Sequence, residues 1–115
     1  MDGPEKLLLV WASGDREVAL HMLFMYGHNS KKRGWWGEVR LLVWGPASPL
    51  LVRDVELQAQ VQAMLADGVD VIACKACAER YDVVEGLEAL GVKVFYTGEL
   101  LTEALKDPAW ATLSL

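Results

Sequence analysis

Two cysteines supply the only thiols of the chain, and they stand one helical turn apart in Ala73-Cys74-Lys75-Ala76-Cys77-Ala78-Glu79-Arg80. The thiolate is the reactive form of cysteine, so the surroundings of each sulfur decide its chemistry. Upstream, Val69, Val71 and Ile72 follow Gly68 as a β-branched run that reads as a buried strand. Downstream, Cys74 to Tyr81 carries helix-forming Lys, Ala, Glu and Arg with no breaker. Cys74 is therefore expected where a strand ends and a helix starts, beside backbone amides that have no helical acceptor. The helix dipole and the charge of Lys75 would both favour an anion there. Cys77 falls on the same helix face. Such a pair suits thiol–disulfide exchange, or the carriage of sulfane sulfur as a persulfide. It also suits no chemistry at all, as two small apolar residues packed at a junction. A structural zinc site needs four ligands, and the nitrogen candidates His21 and His28 fall on a separate helix. No metal and no other cofactor is expected.

The elements that must position the pair can be read along the chain. Lys6 to Ala12 is a continuous apolar run, the mark of a strand covered on both faces. Ser13-Gly14-Asp15 is a turn that supplies helix caps. Arg16 to about His28 reads as a helix, apolar all round from Val18 to Tyr26 except at His21, and its outer face is expected to meet another subunit. Gly27-His28-Asn29-Ser30 is expected to end it, with His28 a helix-end polar residue rather than a catalytic base. The only basic run, Lys31-Lys32-Arg33, suits a helix C-terminus. Trp35 and Trp36 form an aromatic pair on a loop, suited to a subunit contact or to covering the core.

Glu38 to Trp44 reads as the second strand and Gly45-Pro46-Ala47-Ser48-Pro49 as a loop. Asp54 to Ala66 reads as a helix with Leu57, Val61, Met64 and Leu65 on one stripe. After the third strand and the cysteine helix come a short helix from Val84 to Leu90, a strand from Val92 to Tyr96, a helix from Leu100 to Lys106 and a terminal strand from Trp110 to Leu115. Strands alternating with helices at this spacing predict a three-layer α/β/α sandwich around a mostly parallel five-stranded sheet, as a single domain over residues 1–115.

Composition narrows the function classes. The chain is 53% hydrophobic and 23% charged, with mean hydropathy +0.20, so more apolar surface must be hidden than in an average domain. Either both sheet faces are covered or part of that surface is shared with another copy. A net charge of −5 argues against nucleic acid as a partner, which requires clustered cations. The acidic start Met1-Asp2-Gly3-Pro4-Glu5 does not resemble a secretory signal, and no stretch approaches the roughly 20 apolar residues of a membrane span. A close cysteine pair is no disulfide framework, and the reducing cytoplasm is the expected compartment.

Ligands of open parallel sheets gather beyond the carboxyl ends of the strands. The residues expected on that rim are Ser13, Gly14 and Asp15, then Gly45, Pro46 and Ser48, then Cys74 and Lys75, then Thr97, Gly98 and Glu99. Of these, Ser13, Gly14, Gly45, Ser48, Thr97 and Gly98 are the candidates for holding a substrate, while Asp15 and Glu99 read as first-turn helix acids. Ser13-Gly14 lacks the glycine spacing of a dinucleotide site, and no phosphate loop is present.

In its order of features the chain resembles the DsrE/DsrF-like family, which includes the TusD-type subunits of bacterial sulfur-relay complexes. The resemblance rests on the apolar first strand and first helix, on Ala73 to Arg80, and on the closing Leu-Gly-Val-x-Val-x-Tyr-x-Gly-x-Leu-Leu-Thr from Leu90 to Thr102. It implies a compact α/β domain that forms trimers or hexamers through the first helix. It also implies a cysteine at the end of the third strand that accepts sulfur as a persulfide and hands it on between donor and acceptor proteins. By position that cysteine is Cys74, with Lys75 stabilising the anion. Cys77 matches a second cysteine that only some members carry. Tyr81-Asp82 stands where members often have Arg-Gly, and Asp is among the residues that tolerate the left-handed turn expected there. The expectation is an oligomeric cytoplasmic sulfur carrier. A scaffold subunit without chemistry and a thiol–disulfide oxidoreductase are the alternatives.

Overall fold

The computed structural model describes residues 3–115; Met1 and Asp2, part of the acidic start, lie outside the described residues. Five parallel strands form one sheet in the order β4-β3-β2-β1-β5: β1 (Lys6–Trp11), β2 (Glu38–Val43), β3 (Asp70–Cys74), β4 (Lys93–Phe95) and β5 (Trp110–Ser114). Each strand pairs in parallel with its neighbour, as in Leu9 with Leu41 and Leu41 with Val71. Among the described residues, no helix is long and apolar enough to cross a membrane.

Alternation along the strands divides the core in two. Leu7, Leu9 and Trp11 of β1, Val39, Leu41 and Val43 of β2, and Val71 and Ala73 of β3 point to one face. That face carries six of the seven α-helices: α1 (Arg16–Val18), α2 (Phe24–Lys32), α3 (Ala47–Arg53), α4 (Val55–Ala66), α5 (Lys75–Arg80) and α6 (Val84–Ala89). The other face, bearing Leu8, Val10, Leu42 and Ile72, is covered by α7 (Gly98–Lys106) through Ala104, Leu100 and Leu101. One helix cannot cover five strands. Part of the remaining area is polar, where Arg40 bonds Asp70 at 2.9 Å, Lys93 reaches Asp70 at 3.5 Å and Arg40 stacks over the Trp110 ring at 4.8 Å, and part is aromatic, at exposed Trp44 and Phe95. The three-layer sandwich read from the sequence is thus the observed fold, with unequal outer layers.

The first helix differs from expectation at its end. Helical structure runs from residue 16 to 32, through a π-helical segment Ala19–Leu23. Gly27 lies inside this run, where a Cβ would collide with Leu9 Cδ1, so it is a packing glycine and not a cap. The left-handed residue is Gly34, after the basic Lys31 and Lys32. His28 therefore sits within α2, its Nε2 2.6 Å from Asp67 Oδ2. The expected loop at 45–49 is also corrected: α3 begins at Ala47. Pro46 and Pro49 do not prevent it, because amides of a first helical turn have no partner to lose. Asp15 and Asp54 cap their helices by accepting from the amides of Glu17 and Leu57.

Four helices close in the same way, with the residue after the cap left-handed and its amide bonded back into the last turn. Gly34, Gly68 and Gly91 do this for α2, α4 and α6; Asp82, at φ 55°, does it for α5. The Asp82 and Val83 amides donate to Glu79 and Ala78, which closes the motif with a residue that pays a steric cost there. Asp82→Gly is expected to raise unfolding free energy by about 0.5–1 kcal/mol in urea titration. No gain, or a loss, would mean that the Asp82 side chain contributes more than its backbone strain costs.

Candidate functional site

From β1 to β4 each strand is laid down beside the last, and every connecting helix lies on the same face. The chain then crosses by α7 to place β5 beyond β1. Consequently β3 and β4 are neighbours whose outgoing segments leave to opposite faces, β3 into α5 and β4 into α7. A crevice opens at such a switch point, outside the carboxyl ends of the two strands. Cys74 is the last residue of β3 and Thr97 immediately precedes α7, so both stand, buried, at this end of the sheet.

Cys74 is the N-cap of α5, with extended backbone at φ −70° and ψ 117°. Its side chain shares the face of Ile72, towards α7, and only 8% of the residue is exposed. Burial by itself pushes the Cys74 thiol up. The Cys77 amide, the Cys77 thiol, the Thr97 hydroxyl and the Ala76 amide act against it, and the net position lies below the ordinary thiol value. No side-chain hydrogen bond closes the cap, so the amides act on the sulfur as oriented dipoles. Cys77 goes the other way. Burial raises it, the adjacent Cys74 sulfur adds to the rise, and the Gly45 amide and the Arg80 charge only partly offset them. The two thiols are thus shifted in opposite directions, Cys74 down and Cys77 up. Both are free thiols.

Cys77 opens onto a cleft of about 280 Å³ lined by Gly45, Ala76, Arg80 and Tyr81. On the β4 side, Lys75 Nζ stands 5.4 Å from the centre of the Tyr96 ring, and the Tyr96 hydroxyl donates to Glu79 at 2.9 Å. These two contacts tie α5 to the segment that carries Thr97. Lys75 thus sits on an aromatic ring, and the groups that lower Cys74 are amides, a hydroxyl and a thiol.

Of the residues expected on the rim, Cys74, Gly45 and Thr97 come together, around the second thiol of Cys77. Gly14 packs its backbone towards Pro46, and the Ser13 amide bonds Leu115 at the mouth of β1 and β5, two strands away from β3. Ser48 is not on the rim: it lies inside α3, fully buried, its hydroxyl without a protein partner. Gly98 begins α7 and lines an open hollow with Glu99, Thr102 and Glu103. Among the described residues, no three His, Cys, Asp or Glu side chains stand close enough to hold a metal ion.

Four neighbours went unread in the sequence. Arg80 and Tyr81 reach the cleft from the end of α5. Phe95 pairs with Cys74 in register, and Trp44, held in the ladder by its amide bond to Trp11, comes one step beyond the pairing of Val43 with Ala73. Trp44 and Phe95 therefore flank Cys74 on its own face, and both are exposed. The available signal was an aromatic residue ending strands two and four in step with the cysteine.

The two thiols should titrate apart. Iodoacetamide alkylation followed by peptide mass spectrometry is expected to give Cys74 a midpoint below the roughly 8.5 of a free cysteine, and Cys77 one above it. Because Cys74 is lower in the folded state than in the unfolded one, its stabilisation is complete above the unfolded value and fades as pH falls through the folded one. Thr97→Val is expected to move the Cys74 midpoint upward. Equal midpoints for the two thiols would contradict this assignment.

No family model matches the chain, and no curated protein matches it. Among solved structures it is similar to a conserved protein of unknown function from Bacteroides thetaiotaomicron, with 35% sequence identity and a TM-score of 0.92, over 96% of this chain and 95% of that one. Sharing that identity and fold over nearly all of both chains, the protein belongs to the same family as this conserved Bacteroides thetaiotaomicron protein.

Proposed function

We propose that the protein is a sulfur carrier of the DsrE/DsrF-like kind, which holds sulfane sulfur on Cys74 and passes it to a partner thiol. The observation that supports this most is the place of Cys74 at the junction of β3 and α5, as N-cap of the helix, where the amides of Ala76 and Cys77 help to lower its thiol and the Cys77 thiol stands beside it. In the loading step the Cys74 thiolate attacks the outer sulfur of a donor R–S–SH. The new bond is Cys74 S–S, the donor S–S bond breaks, and R–S⁻ leaves. In delivery an acceptor thiolate attacks the outer sulfur, and Cys74 departs as the thiolate that the amides of Ala76 and Cys77 already favour. Both steps are exchanges between sulfurs and need no outside oxidant or reductant. Attack by Cys77 on the inner sulfur would instead release HS⁻ and leave a Cys74–Cys77 disulfide, which an external dithiol must reduce. The contact between the two thiols also favours a second reading, a thiol–disulfide oxidoreductase.

The proposal includes a homo-oligomer, a trimer or hexamer, working in the reducing cytoplasm. Its support is the outer face of the first helix, where Met22, Met25 and Tyr26 are exposed and Met25 reaches 56%. Trp35, 55% exposed, lies 6.0 Å from the Tyr26 ring and extends that apolar area.

Incubation with a sulfane-sulfur donor and intact-protein mass spectrometry should add sulfur to the wild type and none to Cys74→Ser. A wild type that gains no sulfur while Cys74 remains alkylatable sinks the carrier reading, and insulin reduction by the protein would favour the oxidoreductase. For the assembly, light scattering should give a multiple of the 12.7 kDa chain that Met25→Glu reduces. A wild type of monomer mass would end that part of the proposal.

A further inference from the structure

Cys74 takes its polar contacts from two separate elements. The amides of Ala76 and Cys77 belong to α5, and the Thr97 hydroxyl belongs to the segment between β4 and α7. Thr97 is buried and stands at the N-cap of α7, where a threonine hydroxyl ordinarily accepts from an amide of its own helix. Here that bond is absent, and the hydroxyl acts on the Cys74 sulfur instead. The ladder that aligns this segment with β3 ends one step earlier still, at the pairing of Phe95 with Cys74. Between Phe95 and Thr97 stands Tyr96. Its hydroxyl donates to Glu79 at 2.9 Å, and Lys75 Nζ lies 5.4 Å from the centre of its ring. Lys75 and Glu79 are four residues apart on one face of α5, so a single helix grips the tyrosine at both ends. The Tyr96 ring is 63% exposed, and burial therefore does little to hold it.

We propose that Tyr96 is a positioning residue for Cys74: clasped by Lys75 and Glu79, it locks the segment after β4 to α5 and so keeps the Thr97 hydroxyl on the sulfur. A hydrogen bond weakens steeply once its donor is misaligned, so a hydroxyl one residue from the clasp depends on it. The helix whose amides meet the sulfur is also the one that grips Tyr96, and the two sets of donors are thereby fixed relative to each other. Lys75 acts on the sulfur through the tyrosine ring as well as through its charge. The inference takes its purpose from the carrier reading, in which Cys74 must be a thiolate both when it attacks and when it departs. Alkylation needs no sulfur donor, however, and tests the clasp separately.

The pH profile of Cys74 alkylation in the full-length protein is the readout. Tyr96→Phe keeps the ring beside Lys75 and removes the bond to Glu79; Glu79→Ala removes the same bond from the other end. Each should raise the Cys74 midpoint, so that at a fixed pH below it Cys74 reacts roughly two- to fivefold more slowly than in the wild type. The sign separates positioning from charge, because loss of a neighbouring carboxylate would by itself lower a thiol's midpoint. Glu79→Gln, whose side-chain oxygen still accepts from Tyr96, should leave the midpoint at or below that of the wild type. On a Thr97→Val background Tyr96→Phe should add nothing, as expected of two residues that act through one hydroxyl. An unchanged midpoint in Tyr96→Phe or in Glu79→Ala, or a rise in Tyr96→Phe that persists in full on Thr97→Val, overturns the clasp. A protein that shows these shifts and takes up no sulfane sulfur loses the carrier reading and keeps the clasp; one that loads sulfur with unchanged midpoints loses the clasp alone.

Discussion

Amides that a helix cannot use for itself surround the Cys74 sulfur, and they are available because β3 stops and α5 starts with nothing between them. A longer connection would turn those N–H groups into solvent-facing loop. Burial of a thiol ordinarily works against its ionisation, and here the dipoles of two amides, a hydroxyl and a second thiol overcome that. The strand behind the sulfur is held on both sides by parallel pairing, with Val43 against Ala73 and Cys74 against Phe95, so the sulfur cannot retreat from those dipoles without breaking the sheet. Site and fold are thus one construction.

The position of the crevice follows from the unequal outer layers. Six short helices crowd one face because the first four strands advance in one direction across the sheet. The only return is α7, and it starts beside the strand that carries the cysteine. Had β4 continued the series with another helix on the crowded face, Cys74 would lie under an unbroken wall of backbone. Cys77, one turn along α5, is then placed on the side away from α7, where it meets Gly45. The two thiols differ in surroundings: Cys74 is buried on the face it shares with Trp44 and Phe95, and Cys77 opens onto the cleft beside Arg80.

Much of this was legible in the residue order, and the failures have local causes. The junction at Cys74 was readable because β-branched residues give way abruptly to helix formers. The alternation of strands and helices was enough for the sandwich. The end of the first helix was misjudged because Gly27 looks like a cap, and only the approach of Leu9 shows why a side chain is excluded there. Ser48 seemed to belong to a rim because two prolines disguised the first turn of α3. Lys75 was assigned to the sulfur on adjacency alone, whereas the Tyr96 ring, some twenty residues later, lies beneath its ammonium. Arg80, Trp44 and Phe95 come to the site through register and helix phase, which depend on pairings that a linear reading does not contain.

The sheet has two edge strands, β4 and β5, and β4 is the shorter, with three residues against five. β4 has three residues and a single hydrogen-bonded neighbour, while β1, β2 and β3 are each paired on both edges. Opening of a sheet begins where the fewest ladder bonds must be given up, so amide protons of β4 should be the first of the sheet to exchange with solvent. The wall bearing Thr97 is therefore the compliant side of the crevice and the β2 wall the rigid one. A guest one sulfur atom larger than the thiol could be admitted by yielding along that edge, without disturbing the interior on which the remaining strands depend.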